Sequence, residues 1–191
     1  MPFTNPHPLA APFARRAARA AVLGLAFAAL SALPAAAAGG TTRTEDKATE
    51  CERGEVYSDR EKRCVPEDSA AATEADRFET GRALAHAGRL AEAIALLDRA
   101  DANSADVQNY LGFAHRKAGR LDRAVEHYRL ALAIDPNHTL ARSYLGQAML
   151  ASGDREGARE QLRRIRAATG PVSLEYVILR DAIAAGGAGG Y

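Results

Sequence analysis

Tryptophan is absent from this 191-residue chain, methionine and cysteine occur twice each, and aromatic residues make up only 6%. Alanine supplies much of the 47% apolar content, so the composition excludes a broad aromatic core and points to small, closely packed helices. A strong charge of either sign is lacking as well. The net charge of +1 removes the basic footprint that a nucleic-acid binder needs. Signature motifs of enzymes are missing too: there is no P-loop, no dinucleotide fingerprint, no H-E-x-x-H, and neither Ser143 nor Ser152 lies in a G-x-S-x-G elbow. His86, His115, His127 and His138 show no tight ligand spacing. The reading is therefore of a protein that is not an enzyme and that takes no metal and no cofactor.

What is present begins with a leader. Arg15, Arg16 and Arg19 precede an apolar run, Ala20 to Leu33, that is too short to span a bilayer comfortably; Pro34 breaks it, and Ala36-Ala37-Ala38-Gly39 offers small residues for cleavage. Residues 1–38 read as a signal peptide of the Sec type, with the Arg15-Arg16 pair a weak mark of twin-arginine export. The mature chain then holds 22 basic against 24 acidic residues. It is expected in the periplasm or secreted, with no membrane span after cleavage, and its cysteines meet oxidising conditions.

The second half repeats itself. ETGRALAHAGRLAEAIALLDRA from Glu79, YLGFAHRKAGRLDRAVEHYRLA from Tyr110 and YLGQAMLASGDREGAREQLRRI from Tyr144 align at offsets of 31 and 34 residues, the length of a helical hairpin unit. Gly81, Gly112 and Gly146 fall inside the first helix of each unit, where glycine costs stability and marks a close approach of packed helices. Ala93, Ala124 and Ala158 are expected to face them. Gly88, Gly119 and Gly153 stand where that first helix ends in a left-handed cap. Leu97, Tyr128 and Leu162, followed by Ala100, Ala131 and Ile165, continue the buried face of the second helix.

These positions resemble the tetratricopeptide repeat. The second unit matches best, through Leu111-Gly112, His115, Gly119, Ala124, Tyr128, Ala131 and Pro136; the third matches through Leu145-Gly146, Met149, Gly153, Ala158, Leu162 and Ile165. The first is three residues short and carries Thr80 where leucine is usual. The resemblance implies an all-α solenoid of three helical hairpins whose first helices line a concave face. Its lining positions are Phe78, Arg82, His86, Asn109, Phe113, Arg116, Lys117, Ser143 and Gln147. Such a basic, polar face with two aromatics suits a protein or peptide segment, although the carboxylate clamp of some family members is not reproduced residue for residue. His115 replaces the usual bulky residue at a packing position and is read as a core histidine.

Both cysteines lie in CERGEVYSDREKRC, residues 51–64. Twelve intervening residues are too many for a C-x-x-C redox couple, and two cysteines with no nearby histidine make a poor zinc site. A disulfide-stapled hairpin fits the spacing, with Val56-Tyr57 as strand and Ser58-Asp59-Arg60 as turn. The segment is similar to a disulfide motif of exported bacterial tetratricopeptide proteins of unknown role. The organisation read from the chain is a signal peptide (1–38), a linker (39–50), the stapled hairpin (51–65), a linker (66–73), repeats over 74–104, 105–138 and 139–172, a capping helix (173–185) that begins at Ser173-Leu174, and a flexible tail (186–191). The function read from it is a periplasmic interaction module that binds a protein or peptide on the concave face. The alternative is a cell-envelope glycan binder that uses the hairpin, with Tyr57 as its one aromatic.

Overall fold

The computed structural model describes residues 47–186. The segment read as a signal peptide (1–38), residues 39–46 of the first linker and residues 187–191 of the tail lie outside the described residues. Residues 47–50 are helical (α1) and lead into an antiparallel hairpin of β1, Glu55–Ser58, and β2, Arg63–Pro66. Val56 pairs with Val65 and Tyr57 with Cys64. Val56, Val65 and Tyr57 have high strand propensity, and the valines are driven inward to 0% and 1% exposure. A disulfide joins Cys51, just ahead of β1, to Cys64 on β2.

Seven helices follow: α2 (Glu74–His86), α3 (Leu90–Leu97), α4 (Ala105–Lys117), α5 (Leu121–Ile134), α6 (Thr139–Ala151), α7 (Arg155–Thr169) and α8 (Leu174–Ala184). They pack as three consecutive hairpins, α2–α3, α4–α5 and α6–α7, with α8 against α6 and α7. The tight turn inside each hairpin has one chemistry. Gly88, Gly119 and Gly153 adopt φ of +80°, +75° and +88°, and the next amide reaches back to a carbonyl five residues earlier, as Arg89 N–H does to Leu84 O at 2.9 Å and Arg120 N–H to His115 O at 2.9 Å. This is the Schellman closure, which a residue with a Cβ reaches only under strain. At the other ends, Thr73, Ser104, Asp154 and Ser173 accept a first-turn amide of α2, α4, α7 and α8.

The glycines inside the first helices do mark close approach, and the nearest side chains are large ones. A Cβ at Gly81 would stand 2.7 Å from Leu97, and one at Gly112 would stand 2.6 Å from Tyr128. Each glycine makes room for the large side chain sixteen positions on, and Ala93, Ala124 and Ala158 are fully buried. The third unit departs from the pattern. There the space over Gly146 is filled by Leu179 of α8, at 2.6 Å from the same construction, so the added helix supplies the bulk and is locked into the last unit.

The hairpin is docked on the first repeat. Tyr57 N–H donates to Thr80 Oγ1 at 3.1 Å and Asp59 N–H to Asp76 Oδ1 at 3.1 Å, while Val56 and Val65 share a core with Leu84, Leu96 and Leu97. This explains the threonine in a leucine position. Leu111 buries into the core built by the first unit and Leu145 into that of Ala124 and Tyr128; α2 has no preceding repeat and meets a strand edge, whose amide needs an acceptor. Residues 67–73 connect the two parts through turns. Ala72 is buried, Arg77 donates to the Glu67 carbonyl at 2.8 Å and Arg99 pairs with the Glu67 carboxylate at 2.5 Å.

Candidate functional site

The first helices of the hairpins, α2, α4 and α6, lie side by side and set a row of rings across their common face. Phe78 meets Tyr110 with centroids 5.7 Å apart, Tyr110 meets Phe113 at 6.0 Å, and Phe113 meets Tyr144 at 5.5 Å. His86 completes the row, 5.6 Å from Tyr110 and 5.1 Å from Phe113. These separations lie in the range of favourable edge and offset contacts. Two cations sit on it: the Arg116 guanidinium is 5.3 Å from the Tyr144 ring and 5.7 Å from Phe113, and the Lys117 ammonium is 5.9 Å from Phe113. Burial, with Tyr110 next, holds the Tyr144 hydroxyl above its ordinary pKa, so that ring stays neutral.

The face has unlike edges. Because α2, α4 and α6 each occupy the first place in a hairpin, their C-terminal ends gather His86, Arg116 and Lys117 along one side. At the opposite ends a cavity of about 220 Å³ is lined by Phe78, Val107, Glu74, Asp101 and Asp106. An apolar floor therefore runs between a cationic and an anionic margin.

The nine lining positions read from the sequence divide. Phe78, His86, Phe113, Arg116 and Lys117 come together in the ring row. Asn109, Phe113, Arg116 and Ser143 are buried rather than lining an open surface, because the rings of neighbouring helices and the start of α8 close over them. Ser143 Oγ donates to the Glu175 carbonyl at 3.1 Å, and Gln147 donates to Ser143 Oγ at 3.4 Å. Arg82 is turned onto Glu79, which it grips with two nitrogens at 3.0 and 2.7 Å. Asn109 has 0% exposure, and neither its amide nitrogen nor its oxygen finds a protein hydrogen-bond partner. Tyr110 and Tyr144 were missed as site residues. The signal was in the recurring Tyr-Leu-Gly, which the sequence reading used only to align the units.

Between the hairpin and the first repeat lies a cavity of about 160 Å³, lined among others by Cys51, Arg53, Glu55, Leu84, Glu92 and Arg99. Tyr57, on which sugar stacking would depend, is 7% exposed and packs with Ala48, Cys51 and Ala83. Among the described residues no group of three or more His, Cys, Asp or Glu is placed to hold a metal ion, and no helix is long and apolar enough to cross a membrane.

Two family models, both described as tetratricopeptide repeat, match residues 70–107 and 115–173. The chain belongs to the tetratricopeptide-repeat family. Its fold is similar to that of solved tetratricopeptide domains. One is the first such domain of Spaghetti (RPAP3) bound to an HSP90 peptide, with 22% identity, TM-score 0.53, and coverage of 59% of this chain and 90% of that one. Another is the second domain of human RPAP3 in complex with an HSP70 peptide, with 19% identity, TM-score 0.51, and coverage of 56% and 92%. The Sgt2 domain of Aspergillus fumigatus is similar at 22% identity and TM-score 0.53, with 59% and 76% covered. In sequence, 84 residues are 38% identical to a probable biofilm formation methyltransferase, WspC, of Pseudomonas aeruginosa; the match takes in 42% of this chain and only 20% of that protein.

Proposed function

We propose that the protein is an exported, non-enzymatic interaction module that holds a segment of a partner protein across the face of α2, α4 and α6. The observation that carries this reading is the ring row from Phe78 to Tyr144, which leaves Phe78, Tyr144 and His86 open to solvent in part, with Lys117 at its margin. Apolar and aromatic side chains of a bound segment gain area on such a floor, and charges at the two margins fix its direction. The solved relatives that hold HSP90 and HSP70 peptides lend support by analogy of fold. Burial of Tyr57 removes the reason to prefer a glycan.

The test uses accessible positions, since replacing Asn109 or Arg116 disturbs buried packing. Partner capture from envelope extract is compared for the oxidised wild-type chain, the pair His86→Ala and Lys117→Glu, and the control Arg123→Glu on α5. The reading expects capture to fall at least tenfold for the pair and to persist in the control. Equal capture by all three would place the site elsewhere.

A further inference from the structure

The middle repeat contains a second arrangement that the binding face does not use. His115 of α4 and His127 of α5 lie ring on ring, with centroids 5.2 Å apart and planes 7° from parallel. His115 is 8% exposed. His127 Nδ1 is 2.9 Å from Gln108 Oε1, and Gln108 Nε2 in turn donates to the Ala102 carbonyl at 2.9 Å. Gln108 Oε1 can only accept, so His127 carries a proton on Nδ1. His115 Nδ1 is buried with no hydrogen-bond partner, so it carries a lone pair there, and its proton sits on Nε2.

We propose that the His115–His127 stack is an acid-sensitive latch between α4 and α5, closed while the His115 ring is neutral and released when it becomes an imidazolium. A proton added to His115 Nδ1 makes a buried donor with no acceptor, on a ring stacked 5.2 Å from His127. The surrounding charges are Asp98 at the end of α3, Arg120 in the α4–α5 turn, and Arg123 and Glu126 on α5. Burial first, then His127, Arg120 and Arg123 against Asp98, holds His115 below the ordinary imidazole value of 6.5. Burial likewise lowers His127, and Arg123 adds to it against Asp98 and Glu126. With both native values depressed, the stabilisation is complete above 6.5 and is lost as pH falls below it, because the unfolded chain takes up protons first. Since α4 also carries Phe113, Arg116 and Lys117, opening the latch disturbs the binding face; that consequence rests on the function proposed above, whereas the readouts below do not.

The experiment follows the imidazole resonances of the oxidised chain between pH 8 and 5, and its urea unfolding at pH 7.5 and 5.5. The expected result is that both rings titrate below 6.5 and that the unfolding constant rises by up to about tenfold for each ring over this interval. In His115→Phe, which keeps an aromatic in the stack, one ring's share of that rise disappears, and amide exchange in α4 and α5 no longer accelerates at pH 5.5. Native titration of both rings at or above 6.5, or an unchanged pH dependence in His115→Phe, overturns the latch. If His115→Phe fails to fold, the wild-type titration alone decides.

Discussion

Replacing Asp76 with alanine tests whether the stapled hairpin is a working cap on the helical stack. Asp76 is 6% exposed, and one carboxylate serves two parts of the molecule. Oδ1 accepts from the hairpin's Asp59 amide at 3.1 Å, and Oδ2 accepts from the Thr73 amide at 3.0 Å to close the capping box of α2. Loss of the capping box costs about 1 kcal/mol. Asp59 is exposed, so water can reach its orphaned amide, and loss of that bond adds only about 0.5–1 kcal/mol. The sum is about 1.5–2 kcal/mol, which at a slope of about 2 kcal/mol/M lowers the urea midpoint by about 0.75–1 M. Circular dichroism gives the midpoint. Hydrogen exchange should show the first loss of protection in the hairpin and the first turn of α2. Burial alone would raise the Asp76 carboxyl, but the Asp59 and Thr73 amides, the Thr73 hydroxyl and Arg60 together hold it below its ordinary 3.8. The wild-type advantage is therefore full above 3.8 and shrinks as pH falls through the lower native value. Glu74→Ala, which removes an exposed ion pair with Arg77, is the control and should shift the midpoint by less than about 0.5 M. Equal shifts for the two variants would refute the claim that Asp76 fastens the hairpin to the repeats.

Two further changes probe the same architecture. Cys51→Ser with Cys64→Ser opens a loop whose closure is worth about 3 kcal/mol in the chain-entropy model; mass spectrometry of exported protein should show the intramolecular bond in the wild type, and unchanged stability of the double variant would count against a structural role. Gly112→Ala sets a Cβ against the fully buried Tyr128 ring at a strain of about 1–3 kcal/mol, offset by about 1 kcal/mol of helix propensity. A net loss of up to about 2 kcal/mol is expected by thermal or urea unfolding, and a more stable variant would mean that the packing at this glycine is looser than described.

The repeat was legible in the sequence because it rests on local chemistry. Gly88, Gly119 and Gly153 announce three left-handed turns, and Ser173-Leu174 announces the start of α8; each signal needs only its neighbours in the chain. Contacts between distant segments were not legible. Nothing near Gly146 reveals that Leu179 fills its space rather than the Leu162 that the period suggests. Nor does the charged loop of the hairpin show that Tyr57 and Asp59 will find Thr80 and Asp76, 23 and 17 residues on. Thr80 stood out as a departure from the repeat, and its reason lay in the strand amide opposite. At the candidate site, periodicity selected the right helix face but not its depth. Asn109 and Ser143 sit on that face, yet the rings of Tyr110 and Tyr144 and the first turn of α8 determine what remains accessible.

The central claim is that α2, α4 and α6 hold the partner. Its most direct test is to add the captured partner segment to isotope-labelled, oxidised protein and map the backbone and ring resonances that move. The account predicts the largest changes at Phe78, His86, Phe113, Lys117 and Tyr144, with α3, α5 and α7 nearly silent. Changes concentrated in the hairpin or on α3, α5 and α7 would contradict it.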